Sequence, residues 1–82
     1  MATLLYDVTI TGPRRWSEKV SAHLDVEGDQ DTLRAELRRL LLDGVQRSGW
    51  AKRSAPEFKL TVRRPGWAKD AIEPYVIPQE EV

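Results

Sequence analysis

The sequence predicts an α+β fold: one helix packed across one face of a small mixed sheet, with elements in the order β-β-α-β. Three observations carry that expectation. Two stretches of alternating apolar and polar residues are separated by Gly12-Pro13-Arg14-Arg15. An amphipathic run over residues 33–47 follows an acidic start, and a third alternating stretch, 57–63, stops at Arg64-Pro65-Gly66. A chain of 82 residues makes one domain, here 1–78, with 79–82 expected as a flexible tail.

In residues 4–11, Tyr6, Val8 and Ile10 point one way and Leu5, Asp7 and Thr9 the other, the pattern of a half-buried strand. The Gly-Pro turn leads into residues 16–27, where Val20, Ala22, Leu24 and Val26 share one face and Ser21, His23, Asp25 and Glu27 the other. The two strands pair as a hairpin with a longish loop. Asp29, Asp31 or Thr32 can cap the helix that follows, and the carboxylates suit the positive end of its dipole. Leu33, Leu37, Leu40, Leu41 and Val45 fall on one helical face. Gly44 lies there too, where a missing side chain lets the helix approach the sheet closely. Asp43 and Arg47 are spaced as an i,i+4 ion pair, and Gly49 ends the helix. In the third strand Phe58, Leu60 and Val62 point inward. Arg64-Pro65-Gly66-Trp67 reads as a type II turn. Residues 72–76 can add a short fourth strand, which Pro74 confines to an edge.

The outline of hairpin, acidic-capped helix and strand resembles the first half of a β-grasp, ubiquitin-like domain. The chain ends Glu80-Glu81-Val82 rather than in a diglycine, which argues against a conjugated modifier.

Composition narrows the chemistry. There is no cysteine, so no disulfide, thiolate metal site or cysteine nucleophile, and His23 is the single histidine. No metal site or cofactor is expected. No apolar run approaches the roughly 18–20 residues of a membrane span, and the start lacks a basic leader, so the chain is expected to be soluble and cytoplasmic with no membrane partner. Thirteen basic residues balance thirteen acidic ones, which argues against a dedicated non-specific nucleic-acid binder. Arginine dominates the basic residues, the bias a GC-rich genome produces.

Ser21, His23 and Asp25 have the residue types of a hydrolytic triad. Alternate residues of one strand stand about 6.5–7 Å apart, too far for a proton relay. Asp25, Glu27, Asp29 and Asp31 alternate like a calcium loop, but an EF-hand needs glycine where Gln30 stands. The five glycines are scattered singly, so there is no phosphate loop. An enzyme is not expected.

Gly-Trp-Ala-Lys occurs twice, at residues 49–52 and 66–69, each copy beside arginines. With the first strand running up, the hairpin loop and the helix-to-strand loop share the upper pole. Residues 12–19 and 47–56 place Arg14, Arg15, Lys19, Arg47, Lys52 and Arg53 there against Glu18 alone, with Trp16 and Trp50 beside them. Such a surface can face phosphates or an acidic protein partner. The acidic run 25–31 falls at the lower pole, beside Arg63, Arg64 and Lys69, which can neutralise it. Trp50 also falls where a helix C-terminus wants an apolar cover for Val45, and Trp67 is expected to cover a sheet end. The outward sheet face lacks the aromatic residues of an RNA-recognition sheet. That open polar face and an unpaired sheet edge suit strand addition or dimerisation. The expected function is a non-enzymatic protein–protein interaction module or assembly subunit, binding a protein partner or a second copy. The alternative is a nucleic-acid-binding domain using the basic, aromatic pole.

Overall fold

The computed structural model describes residues 3–81. Met1 and Ala2 of the expected leaderless start, and Val82 of the expected tail, lie outside them. The elements are β1 (Leu4–Thr11), β2 (Ser17–Leu24), α1 (Gln30–Ser48) and β3 (Lys59–Arg63), an α+β domain with one helix on a three-stranded sheet.

Alternation places the core as expected. Val8, Ile10, Phe58, Leu60 and Val62 are fully buried beneath Leu33, Leu37, Leu41 and Val45 of α1. Gly44 is buried at the contact, and a Cβ there would stand 2.9 Å from Ile10 Cδ1. The absent side chain is what lets α1 sit down on β1. Asp29 caps α1, accepting bonds from the Thr32 amide at 3.1 Å and the Thr32 hydroxyl at 2.6 Å.

The sheet is antiparallel rather than mixed. β3 runs parallel to β2, as the crossover requires, but the order is β2-β1-β3 and both flank β1. The connection carries the chain over β1 to its far side, so one helix covers the apolar face of all the strands. The likeness to a β-grasp domain goes no further than the order of elements.

Residues 70–75 do not form a fourth strand. They touch β3 through isolated bridges, Asp70 to Arg63 and Tyr75 to Leu60, with Ala71 donating to the Val62 carbonyl at 2.7 Å. The register shifts between the contacts, with Tyr75 opposite Leu60 but Ala71 bonded to Val62, so no continuous ladder forms. The chain then runs back along α1. Ile77 is buried, and residues Gln79–Glu81 make one 3-10 turn whose last carbonyl accepts from Arg38 at 3.1 Å. Burial, reinforced by Glu81, pushes the Tyr75 phenol above its ordinary pKa.

The Asp43–Arg47 pair does not form. Asp43 accepts from Arg39 at 3.2 Å, while Arg47 reaches Glu18 on β2 at 2.6 Å. Glu18 points inward where α1 ends over the sheet, and its hydrogen bond holds the Arg47 guanidinium above the usual arginine range.

Candidate functional site

The upper pole is built by two loops that meet. In the hairpin loop, Arg14 and Arg15 both adopt left-handed backbone conformations, at φ 57° and 61°. Such conformations cost non-glycine residues about 1 kcal/mol or more each. They turn the chain tightly enough for the Gly12 amide to donate to the Trp16 carbonyl at 2.8 Å. Trp16 is half-buried, its ring edge-on to Phe58 with centroids 5.5 Å apart. Phe58 in turn lies over Gly12, where any Cβ would collide with the ring.

The second loop leaves α1 through Gly49, left-handed at φ 85°. The next turn is closed by a hydroxyl. Ser48 Oγ donates to the Val45 carbonyl at 2.6 Å and accepts from the Trp50 amide at 3.2 Å. It bridges the two groups that a Schellman cap would join directly. Trp50 is thereby laid half-buried against Val45, and the Arg14 guanidinium stands 5.7 Å above its ring. Lys52 and Arg53 follow, exposed, on the 3-10 turn Lys52–Glu57 that sequence reasoning took as plain loop.

The two loops therefore meet through Arg14 over Trp50, with Trp16 packed on Phe58 and Arg15, Lys52 and Arg53 exposed on the same loops. Two members of the expected set are placed differently. Arg47 is engaged by Glu18. Lys19 lies on the outward face of β2, lining a shallow depression with Asp7, Thr9, Ser21, Thr61 and Arg63.

The lower pole holds a surprise in Trp67. It follows the expected type II turn, with Gly66 at φ 81° and the Trp67 amide bonded to the Arg64 carbonyl at 2.9 Å. Instead of covering the sheet end it is 56% exposed, with Arg64 5.0 Å above its ring. Each Gly-Trp-Ala-Lys copy thus carries an arginine over its tryptophan, at opposite ends of the molecule. Arg63 pairs with Asp70, so it does not neutralise the acidic run. Among the described residues, Asp25 and Glu27 make no ion pair, and no cluster of acidic or histidine side chains is arranged to hold a metal ion. Ser21 and His23 are exposed on the outer sheet face and Asp25 lies past the end of β2, turned toward Gly28.

The remaining feature is the β2 edge. The Gly12–Trp16 bond sets the alternation of the hairpin ladder. The main-chain groups of Glu18, Val20, Ala22 and Leu24 face β1, and those of Ser17, Lys19, Ser21 and His23 face away. On the opposite edge of the sheet, both main-chain groups of Leu60 pair with Tyr75, and the Val62 carbonyl accepts from Ala71. On the β2 side, among the described residues, nothing pairs. The signal for this was present in the sequence only as strand order, which alternation does not specify.

The fold and these surfaces define a small α+β domain with one open sheet edge among the described residues, and Arg64 shares a depression with Asp25 and Glu27 at its lower pole. No family model, no curated protein and no solved structure matches the chain. No helix among the described residues is long and apolar enough to cross a membrane.

Proposed function

We propose that the protein is a small non-enzymatic interaction module that binds another polypeptide along the free edge of β2. The observation that carries this reading is the row of outward main-chain groups at Ser17, Lys19, Ser21 and His23, left open while the β3 edge is covered. An unpaired strand edge offers main-chain hydrogen bonds to an added strand, and the polar outer face supplies contacts beside it. Balanced charge accords with a protein partner. A photo-crosslinking residue at Ser21 is expected to capture a partner in cells, and one at exposed Glu73 is not. Lys19→Pro removes an outward N–H without touching the β1 ladder, and should abolish the adduct. Equal adducts from both positions, or none from position 21, would overturn the reading.

One observation favours a second reading, nucleic-acid binding at the upper pole. Arg14, Arg15, Lys52 and Arg53 have no acidic partner among the described residues, and Arg14 lies over Trp50. A titration with single-stranded and duplex oligonucleotides, followed by tryptophan fluorescence at two salt concentrations, tests it. Binding should weaken with salt in proportion to the phosphates neutralised. No signal at low salt refutes it.

A further inference from the structure

We propose that the polypeptide taken up by the β2 edge is a second copy of this chain, paired antiparallel about a twofold axis through Val20. This deepens the module reading above and rests on it.

The edge is self-complementary in one register. An antiparallel partner must match outward-facing residues with outward-facing residues, which leaves three central registers. Centring on Lys19 sets Lys19 against its own copy, a like-charge clash. Centring on Ser21 sets Lys19 against His23 and the inward Glu18 carboxylate against apolar Leu24. Centring on Val20 avoids both. Lys19 then faces Ser21 of the other copy, Ser17 faces His23, and Glu18 faces the small Ala22. Charges on an edge strand ordinarily discourage pairing; in this register no like charges stand directly opposite, and the two Lys19 side chains are only diagonal neighbours, about 7–8 Å apart.

Two further observations support the same partner. Under the edge, Val20 and Ala22 are only half-buried, as is Leu40 on the side of α1 from which Arg47 reaches Glu18. Twofold pairing about Val20 keeps both helices on one side of a continuous sheet and brings these residues of the two copies together. The poles also become partners. Antiparallel pairing sets the hairpin loop of one copy, with Arg14 and Arg15, beside the chain that leaves β2 toward Asp25 and Glu27 in the other. Arg14, Arg15, Asp25 and Glu27 have no salt-bridge partner within the described chain. The unpaired arginines of the hairpin loop find an electrostatic complement in the unpaired Asp25 and Glu27 of an inverted copy.

The test uses the purified full chain. Sedimentation equilibrium from micromolar to millimolar protein should give a monomer–dimer equilibrium that weakens with salt. Ser21→Pro should be monomeric with an unchanged circular dichroism spectrum. Arg15→Glu should raise the dissociation constant by about tenfold, and adding Asp25→Arg should recover most of that loss. The register has its own readout, because the chain has no cysteine. Val20→Cys places two thiols across a non-hydrogen-bonded pair, where Cα atoms lie about 4.5 Å apart and a disulfide closes. Under mild oxidation it should link rapidly, while His23→Cys should not. A monomer at millimolar concentration overturns self-pairing, as does a dimer indifferent to Ser21→Pro or a faster link from position 23. A monomer that still crosslinks from position 21 in cells leaves the module reading standing; loss of both removes the two together.

Discussion

Gly12→Ala is the sharpest test of how the upper pole is held. The backbone at Gly12 is extended, at φ −143°, so alanine meets no conformational penalty and any cost is one of space. Its Cβ would stand 2.7 Å from Phe58 Cδ2 and 2.9 Å from Cζ, and closer still to Cε2. Ordinary carbon contacts lie at about 3.5–4.0 Å, so the ring must retreat by roughly 1 Å. Phe58 has nowhere to go, being fully buried and edge-on to Trp16. Overpacking of this kind costs about 1–3 kcal/mol, and a disturbed aromatic pair about 0.5–1.5 kcal/mol more. Restricting the unfolded chain returns roughly 0.4–1 kcal/mol. A net loss near 2 kcal/mol would lower the melting temperature by about 8–16 °C in a domain of this size. Urea titration followed by circular dichroism and tryptophan fluorescence measures it. Phe58→Leu should partly rescue Gly12→Ala, with a coupling of about 1 kcal/mol in the double-mutant cycle. A loss below about 0.5 kcal/mol, or strict additivity with Phe58→Leu, refutes the close approach of ring and backbone.

Three other outcomes follow from features on the same molecule. Ser48→Ala removes the hydroxyl bridging Val45 and Trp50, and should cost about 1 kcal/mol in urea unfolding while shifting Trp50 emission to the red. Arg15→Gly relieves a left-handed backbone at φ 61° and should raise stability by about 0.5–1 kcal/mol in the same assay; a loss would mean that the Arg15 side chain makes a contact of its own. The hydrogen bonds from Thr32 hold Asp29 below its ordinary carboxylate pKa, so its contribution is present above the unfolded pKa and lost as pH falls through the lower folded value. Asp29→Asn keeps an acceptor for Thr32 and should flatten the acid limb of the stability profile, whereas Asp29→Ala should lower stability at neutral pH.

Local rules were readable from residues alone. The period of two in Tyr6, Val8 and Ile10, the helical face of Leu33, Leu37 and Leu41, and the left-handed glycines at positions 49 and 66 are properties of short segments. Each appears in the structure where it was expected. What the residues did not specify is which strand neighbours which. Alternation marks an inward face but not a lateral neighbour, so the antiparallel sheet with β1 at its centre was read as mixed. The same blindness left unstated which edge is covered and which is open. Ile77 had no assigned role, because a single isoleucine beside Pro78 carries no period, yet it is buried in the core. Charge pairing failed for a related reason: Arg47 had a helical neighbour at ideal spacing, but Glu18, distant in sequence, lay under the helix end. At the candidate site, the basic and aromatic loops were located by topology. The exposure of Trp67 depends on where residues 70–77 go after the turn, and nothing in the turn itself states that.

The strap of residues 70–77 along β3 fixes a stoichiometry. A sheet open on both sides can recruit strands without end, which is how ordered fibres grow. Here Pro74 and the isolated bridges occupy one side without themselves offering a continuous ladder for another strand. A molecule that pairs through its β2 edge would therefore be monovalent in main-chain pairing. Whatever strand β2 accepts, growth by that route stops with a single partner, and a second identical chain would leave no free edge at the junction. In any assembly built by β2 pairing, the short, irregular strap would act as a terminator.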